Sequence, residues 1–325
     1  MASPQQGFLS GGPLAITRRR TRIFIGLLAA CLSGADTGRA LTWYVATPGN
    51  DSPHTGTNGW GDAFLTIGKA LSLAGAGDAI WVSNGTYAIA GQLSLTNAVN
   101  LLGVGGWSNT VVDGGGATRC FYIANASAVL DGFTVTNGFA WSLSSPGHLG
   151  GGVYMTAGAV RNCLITGNRT GGASYPDGAG VWMSGGVVQD STICWNSNAG
   201  MWTRGGGVMM NGNGLVERCA IFGNSTGSGS GGGVSLNQPG DAMRNCLIAG
   251  NSSDDTSGLM GGGGIGMDGG SVENCTIVRN RGIGINRRGA ATARNSVIVF
   301  NVDSAGNPRN WRTFSSAAMT YCCTT

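Results

Sequence analysis

Four charged side chains have the types that acid–base chemistry draws on: Asp177, Arg204, Asp254 and Asp255. A carboxylate pair can protonate a leaving group and activate a water, and a base helped by a cation can take the proton beside a sugar carboxylate. Asp177, Asp254 and Asp255 also offer the hard oxygen donors that calcium takes. A solvated turn aspartate is the simpler account of each. Tyr154, Trp182 and Trp202 supply flat apolar rings of the kind that stack on a binding partner, or that shield a glycine-rich sheet. The cysteines and the two histidines, His54 and His148, show no zinc-ligand spacing, and the one lysine is Lys69.

These groups must be positioned by a repeat. It reads Val160-Arg-Asn-Cys163-Leu-Ile165-Thr-Gly-Asn168, and it returns as Val188 to Asn196, Val216 to Asn224, Met243 to Asn251, Val272 to Asn280 and Ala293 to Asn301. The closing asparagine recurs after 28, 28, 27, 29 and 21 residues. A period of that length, carrying only strand-length apolar runs, predicts a stack of short-stranded coils. Cys or Ser and the Ile two places on share one strand face and point inward, while the residue between them points out. Val160 lies three residues before Cys163, which breaks the period of two and demands a bend at Arg161-Asn162. Asn162, Asn245, Asn274 and Asn295 fill the second bend position with a residue that tolerates left-handed backbone. Stacked asparagines can also bond from coil to coil.

A second strand signal precedes each copy: Gly150-Gly-Gly-Val153-Tyr-Met155, then Gly178 to Met183, Gly205 to Met210, Gly231 to Leu236, Gly262 to Met267 and, more weakly, Gly282 to Ile285. Three strands per coil follow. Loop length varies between each closing asparagine and the next glycine-rich strand, and those loops hold Tyr175, Asp177, Trp202, Arg204, Asp254 and Asp255. With the outward residues Tyr154, Trp182, Met209, Ser235 and Gly266 they are expected to form one groove, in which Tyr154 and Trp182 sit on adjacent coils.

The Gly-Gly-Gly-Val and Ile-x-x-Asn segments resemble those of right-handed parallel β-helix repeat proteins, including polymorphic outer-membrane-protein repeats, and the asparagine bend resembles the ladder of pectin-lyase-like helices. The resemblance covers roughly residues 41 to 325. It implies an all-β, right-handed parallel β-helix of eight or nine coils, with a groove that binds polysaccharide in the enzymes of this fold. It does not imply catalysis, because the fold hosts lyases, hydrolases, adhesins and passive scaffolds. The paired-aspartate, Gly-His-Gly and Arg-x-Lys pattern of polygalacturonases is missing, as is the clustered Asp and Arg set of pectate lyases.

Glycine makes up 61 of 325 residues, yet 42% of the chain is hydrophobic and 10% charged, enough apolar material for one core. Five of the arginines and one aspartate fall in the first forty residues, leaving fourteen basic and fourteen acidic groups beyond them. Such neutrality offers no electrostatic case for nucleic acid. Arg18 to Arg22 precede the apolar run Ile23 to Leu32, too short to span a bilayer, which reads as an export signal in a leader over 1–40. Leu28-Ala-Ala-Cys31 resembles a lipoprotein box that would lipidate Cys31, and Gly38-Arg-Ala40 resembles a simple cleavage site; both readings stand. Cys163, Cys219, Cys246 and Cys275 share their position with Ser191 and Ser296, which favours small buried thiols over a disulfide framework.

Residues 41–120 read as a cap with irregular first coils, including a helix over Asp62 to Ala74 with Asp62 as N-cap. Residues 121–325 read as regular coils, and the resemblance to β-helix proteins in which a similar Cys-Cys-Thr-Thr stretch is followed by more sequence implies that the chain is a fragment. The functional expectation is an exported, non-catalytic surface or secreted module contacting polysaccharide or cell-surface glycan. The alternative is a divergent polysaccharide lyase or glycoside hydrolase using Asp177, Arg204, Asp254 and Asp255.

Overall fold

Each coil turns through three short parallel strands, and the equivalent strands of successive coils pair in register. The structure, a computed structural model, describes residues 39–142, 146–172, 175–254, 261–303, 305–313 and 319–324. Residues 1–38 of the leader, with Cys31, and Asp255 lie outside the described residues. Among those described, the first sheet, built from the glycine-rich strands such as Val153–Met155, has nine strands. The second, through Ala159–Arg161, has eleven, and the third, through Leu164–Thr166, has ten. All pair parallel.

In-register pairing turns the repeat into columns. Val153, Val181, Val208, Val234, Ile265 and Ile285 stack on the inner face of the first sheet, and Val160, Val188, Val216, Met243, Val272 and Ala293 on the second. Ile165, Ile193, Ile221, Ile248, Ile277 and Ile298 do so on the third, and these three columns are at most 1% exposed. They make one continuous core. No coil can bury its interior without the coils on either side. The Met155, Met183, Met210, Leu236, Met267 column passes to Arg287, a buried arginine whose guanidinium donates to the Ala291 carbonyl, and then to Thr313.

The bend before each Cys or Ser is left-handed in all six copies: φ is +51° at Asn162, +50° at Asp190, +51° at Arg218, +56° at Asn245, +52° at Asn274 and +49° at Asn295. The Cys/Ser site that follows is a hydrogen-bonded column. Cys163 Sγ donates to the Arg161 carbonyl and its backbone N–H donates to Ser191 Oγ at 3.1 Å, while the Cys219 N–H donates to Cys246 Sγ at 3.4 Å. Burial pushes the Cys163 thiol up to about 12, so it packs as a neutral small side chain.

The closing asparagines form a second, stronger column. Asn224 Oδ1 accepts from both the backbone N–H and Nδ2 of Asn196 at 3.0 Å, and Asn224 Nδ2 donates to Asn251 Oδ1 at 2.9 Å and to the Ile193 carbonyl at 2.9 Å. The same links run from Asn168 to Asn301 and end on Asn310, which the nine-residue spacing from Asn301 hid from the repeat. Asn168 to Asn301 are fully buried. Asn168-Arg-Thr, Asn224-Ser-Thr and Asn251-Ser-Ser fit the Asn-x-Ser/Thr glycosylation pattern, but each of these asparagines is an interior residue of the column.

Two expectations change. The helix spans Ile67–Leu73, with Thr66 as N-cap accepting from the Lys69 N–H, rather than starting at Asp62. Asp62 instead accepts from the Thr55 N–H at 3.0 Å, and Phe64 is drawn into a bridge with Val45, which keeps 63–65 extended. Ile67 and Ala70 still enter the core, against the first strands Thr42–Val45, Ala79–Val82 and Leu93–Leu95. The segments expected as open loops carry a fourth sheet of five parallel strands: Phe139–Ser142, Arg169–Gly172, Ser197–Arg204, Ser225–Ser230 and Ser252–Ser253. Its inward row, Thr170, Asn198, Thr226 and Ser253, is buried and polar. In the coil between Asn280 and Asn301 this sheet shrinks to one residue, Arg281, bridged to Ser252 and Val302, and the asparagine column continues without a break.

Candidate functional site

The outward residues of the first sheet line up as expected, Tyr154 beside Trp182 beside Met209 beside Ser235 beside Gly266. Tyr154 and Trp182 stack with ring centroids 4.7 Å apart and planes 12° from parallel, and Tyr122 continues the stack at 5.6 Å. Trp182 is nevertheless only 8% exposed, Met209 2% and Ser235 3%. With Leu149, the tryptophan and methionine form a second small core instead of an open platform. The cause is the turn that brings each arch back to the first sheet. At Gly178, where φ is +65°, a Cβ would sit 2.9 Å from the Trp182 Cα.

The charged candidates are drawn partly together. Asp177 is 9% exposed, and its Oδ1 accepts from the Arg204 backbone N–H at 2.7 Å. The Arg204 guanidinium turns elsewhere, donating to Asn237 Oδ1 at 2.8 Å and lying 3.5 Å from Asp268, which Arg288 also engages at 2.8 Å. Asp254 is exposed, and its N–H donates to the carbonyls of Thr226 and Gly227. Tyr175 and Trp202 are 53% and 47% exposed at left-handed positions. Among the described residues no three His, Cys, Asp or Glu side chains converge as a metal site.

Burial pushes the Asp177 carboxyl up to about 7, with the Arg204 N–H and charge opposing the shift. The folded chain thus holds this proton more tightly than the unfolded chain. The carboxyl costs nothing below about pH 4 and destabilises progressively up to about pH 7, by roughly 4 kcal/mol at the limit. Asp177→Asn keeps an oxygen for the Arg204 N–H, so its stability advantage over the parent should appear above pH 4 and level off near pH 8 in urea titrations. An advantage independent of pH would show that Asp177 titrates normally.

The exposed site lies one coil earlier, on the first arch strand, Phe139–Ser142. Ala140 points in and is buried, so Trp141 points out and is 59% exposed. Cavities of about 480 and 250 Å³ share Phe139 and Trp141 as walls; the first is also lined by Gln92, Thr118 and Arg119, the second by Arg169, Gly171 and Ser197. Gly172, at φ +98°, leaves room for the indole, since a Cβ there would come within 2.8 Å of its Nε1. Arg119 is fixed from several sides, by the carbonyls of Pro146, Leu149 and Gly150 and by Gln92 Oε1 at 2.6 Å, with its guanidinium 5.0 Å from the Tyr154 ring centre. Arg169 lies over the Phe139 ring at 5.4 Å. No carboxylate lines either cavity. The arrangement can stack a flat apolar face and hydrogen-bond its rim, and it holds no acid–base pair.

Sequence reasoning missed this site because its coil has Gly138 where later copies have asparagine, the Gly138 N–H being the first donor to Asn168 Oδ1. The alternation Phe139-Ala-Trp141-Ser was its one available signal. A larger depression of about 640 Å³ lies between the helix and Thr86 to Leu93. Its one ionisable wall, Tyr87, already bonds Ser83 at 3.0 Å.

The profile of the family described as a right-handed beta helix region matches residues 119–307, more than half of the chain. The chain belongs to the right-handed β-helix family. No curated protein matches it. Among solved structures, this β-helix chain is similar to the pectate lyase Pel9A, at 16% identity and a TM-score of 0.57 over 89% of this chain and 78% of that one. It is also similar to the pectin methylesterase PemA from Erwinia chrysanthemi, at 12% identity and a TM-score of 0.45 over 88% and 90%. At such identities the likeness to Pel9A establishes the shared right-handed parallel solenoid and nothing finer.

Proposed function

We propose that this β-helix chain is an exported module that contacts polysaccharide through the Trp141 cleft without cleaving it. The exposed indole carries the reading: it is held on a strand, cleared by Gly172 and flanked by Gln92, Arg119 and Arg169. Tryptophan on a rigid element offers a sugar ring flat apolar contact at little entropic cost. The Pel9A neighbour, named a pectate lyase, supports glycan as the partner class. The Arg-rich leader supports export, with simple cleavage or lipidation at Cys31 as its two routes. Among the described residues no helix is long and apolar enough to cross a membrane.

Trp141→Ala should weaken binding to a glycan identified on an array by about tenfold, worth roughly 1.4 kcal/mol, while leaving the unfolding midpoint within about 2 °C. An array with no hit for the unmodified protein ends this reading. The enzymatic reading has one observation in its favour, the Asp177 carboxyl near neutrality, a range suited to acid–base work. Turnover of polyuronates or neutral glycans, with or without calcium, that is lost in Asp177→Asn would establish it.

A further inference from the structure

The outer face of the second sheet carries two parallel rails. One is apolar and then hydroxylic: Val129, Ala159, Val187, Leu215, Ala242, Ser271 and Thr292. The other, two residues on, is charged: Asp131, Arg161, Gln189 with Asp190 at the bend beside it, Glu217 with Arg218, Arg244, Glu273 and Arg294. Neighbouring charges pair within the chain, Arg161 with Asp131 at 2.8 Å, Arg218 with Asp190 at 2.7 Å and Arg294 with Glu273 at 3.0 Å. In-register strands favour alternation of this kind. Strict alternation over seven positions would give the two ends the same sign. Here neutral Gln189 takes the third place and the acid Glu217 the fourth, and that slip makes the ends opposite.

Read backwards, the charged rail complements itself at its outer positions. Arg294 falls opposite Asp131 and Glu273 opposite Arg161, Arg244 falls opposite Gln189 with Asp190 beside it, and Glu217 meets Glu217 at the centre, each paired with its own Arg218 at 2.7 Å. Arg244 makes no ion pair among the described residues. On reversal the first rail sets Leu215 on Leu215 at its centre and Val187 on Ala242, with Ser271 and Thr292 over Ala159 and Val129 toward its ends.

We propose that this face pairs with the same face of a second copy, running antiparallel, about a two-fold axis that passes through the strand Leu215–Glu217. Self-complementarity about one axis is what an isologous dimer requires. At strand spacing the seven positions span about 30 Å, a patch of roughly 400 Å² per copy, half that of a standard interface. The dimer is therefore weak, forming in the range of roughly tens to hundreds of micromolar, and it weakens as salt rises.

Sedimentation equilibrium of the whole chain from about 5 μM to about 1 mM at low salt tests it. Arg161→Glu alone and Glu273→Arg alone should each weaken association at least about tenfold, and the double substitution should bring it back to within about threefold of the parent. The double variant also sets like charges side by side inside each chain, a carboxylate at position 161 against Asp131 and a guanidinium at position 273 against Arg294. Charges serving only the internal ladder would therefore make it worse than either single change. Leu215→Arg, which brings like charges together on the axis, should leave the chain monomeric with its circular dichroism unchanged. A parent that stays monomeric at the highest concentration, or a double variant weaker than both singles, overturns the proposal.

Discussion

Asn224→Ala is expected to lower the free energy of unfolding by about 4 kcal/mol. The side chain is fully buried, and its removal strips the Asn196 N–H and Nδ2 of their shared acceptor and the Ile193 carbonyl of a donor. Each buried polar group left without a partner costs about 1–3 kcal/mol, and the void adds to that. The comparison that isolates the effect is Asn162→Ala. Asn162 is exposed, and alanine there meets the left-handed strain at φ +51°, about 1 kcal/mol, and loses one exposed hydrogen bond to Asp131. Urea denaturation of the two variants should therefore differ severalfold. Equal losses would mean that the interior column adds little beyond backbone pairing.

Trp182→Ala should cost about 3 kcal/mol and leave glycan binding unchanged. Its indole stacks on Tyr154 at 4.7 Å and packs with Leu149 and Met209 under the returning arch, so truncation opens a cavity in a small core that cannot readily collapse. Trp141→Ala is the mirror case, affecting binding and sparing stability. Measuring both variants by both assays separates the two tryptophans, and a loss of binding in Trp182→Ala at full stability would restore the first sheet's aromatic strip as the sugar platform.

The coils are legible in the sequence because stacking rewards sameness: Val over Val, Ile over Ile and Asn over Asn leave a period that can be read without any partner. The fourth sheet leaves no such trace. Arg169-Thr-Gly-Gly and Ser225-Thr-Gly-Ser-Gly-Ser have poor intrinsic strand preference and no apolar alternation, and their pairing is imposed by the coils they hang from. Without that sheet, Trp182 reads as open and Asp177 as a solvated turn residue. Helix placement departs from expectation for a related reason. Asp62 and Thr66 are both competent N-caps, and the choice is made by Phe64 pairing with Val45, a contact between distant parts of the chain.

The coil between Asn280 and Asn301 spans 21 residues where its neighbours take 27 to 29, and the interior does not register the difference. Six to eight residues have been subtracted from one arch with no shift of any column. Arch length is thus an independent variable, set separately for every coil and invisible to the core. A molecule built this way can exchange the contour it shows to its surroundings one segment at a time, much as a keyboard accepts new keycaps. Transplanting Phe139–Ser142 and its aromatic tip onto a later coil is the engineering operation that this independence permits.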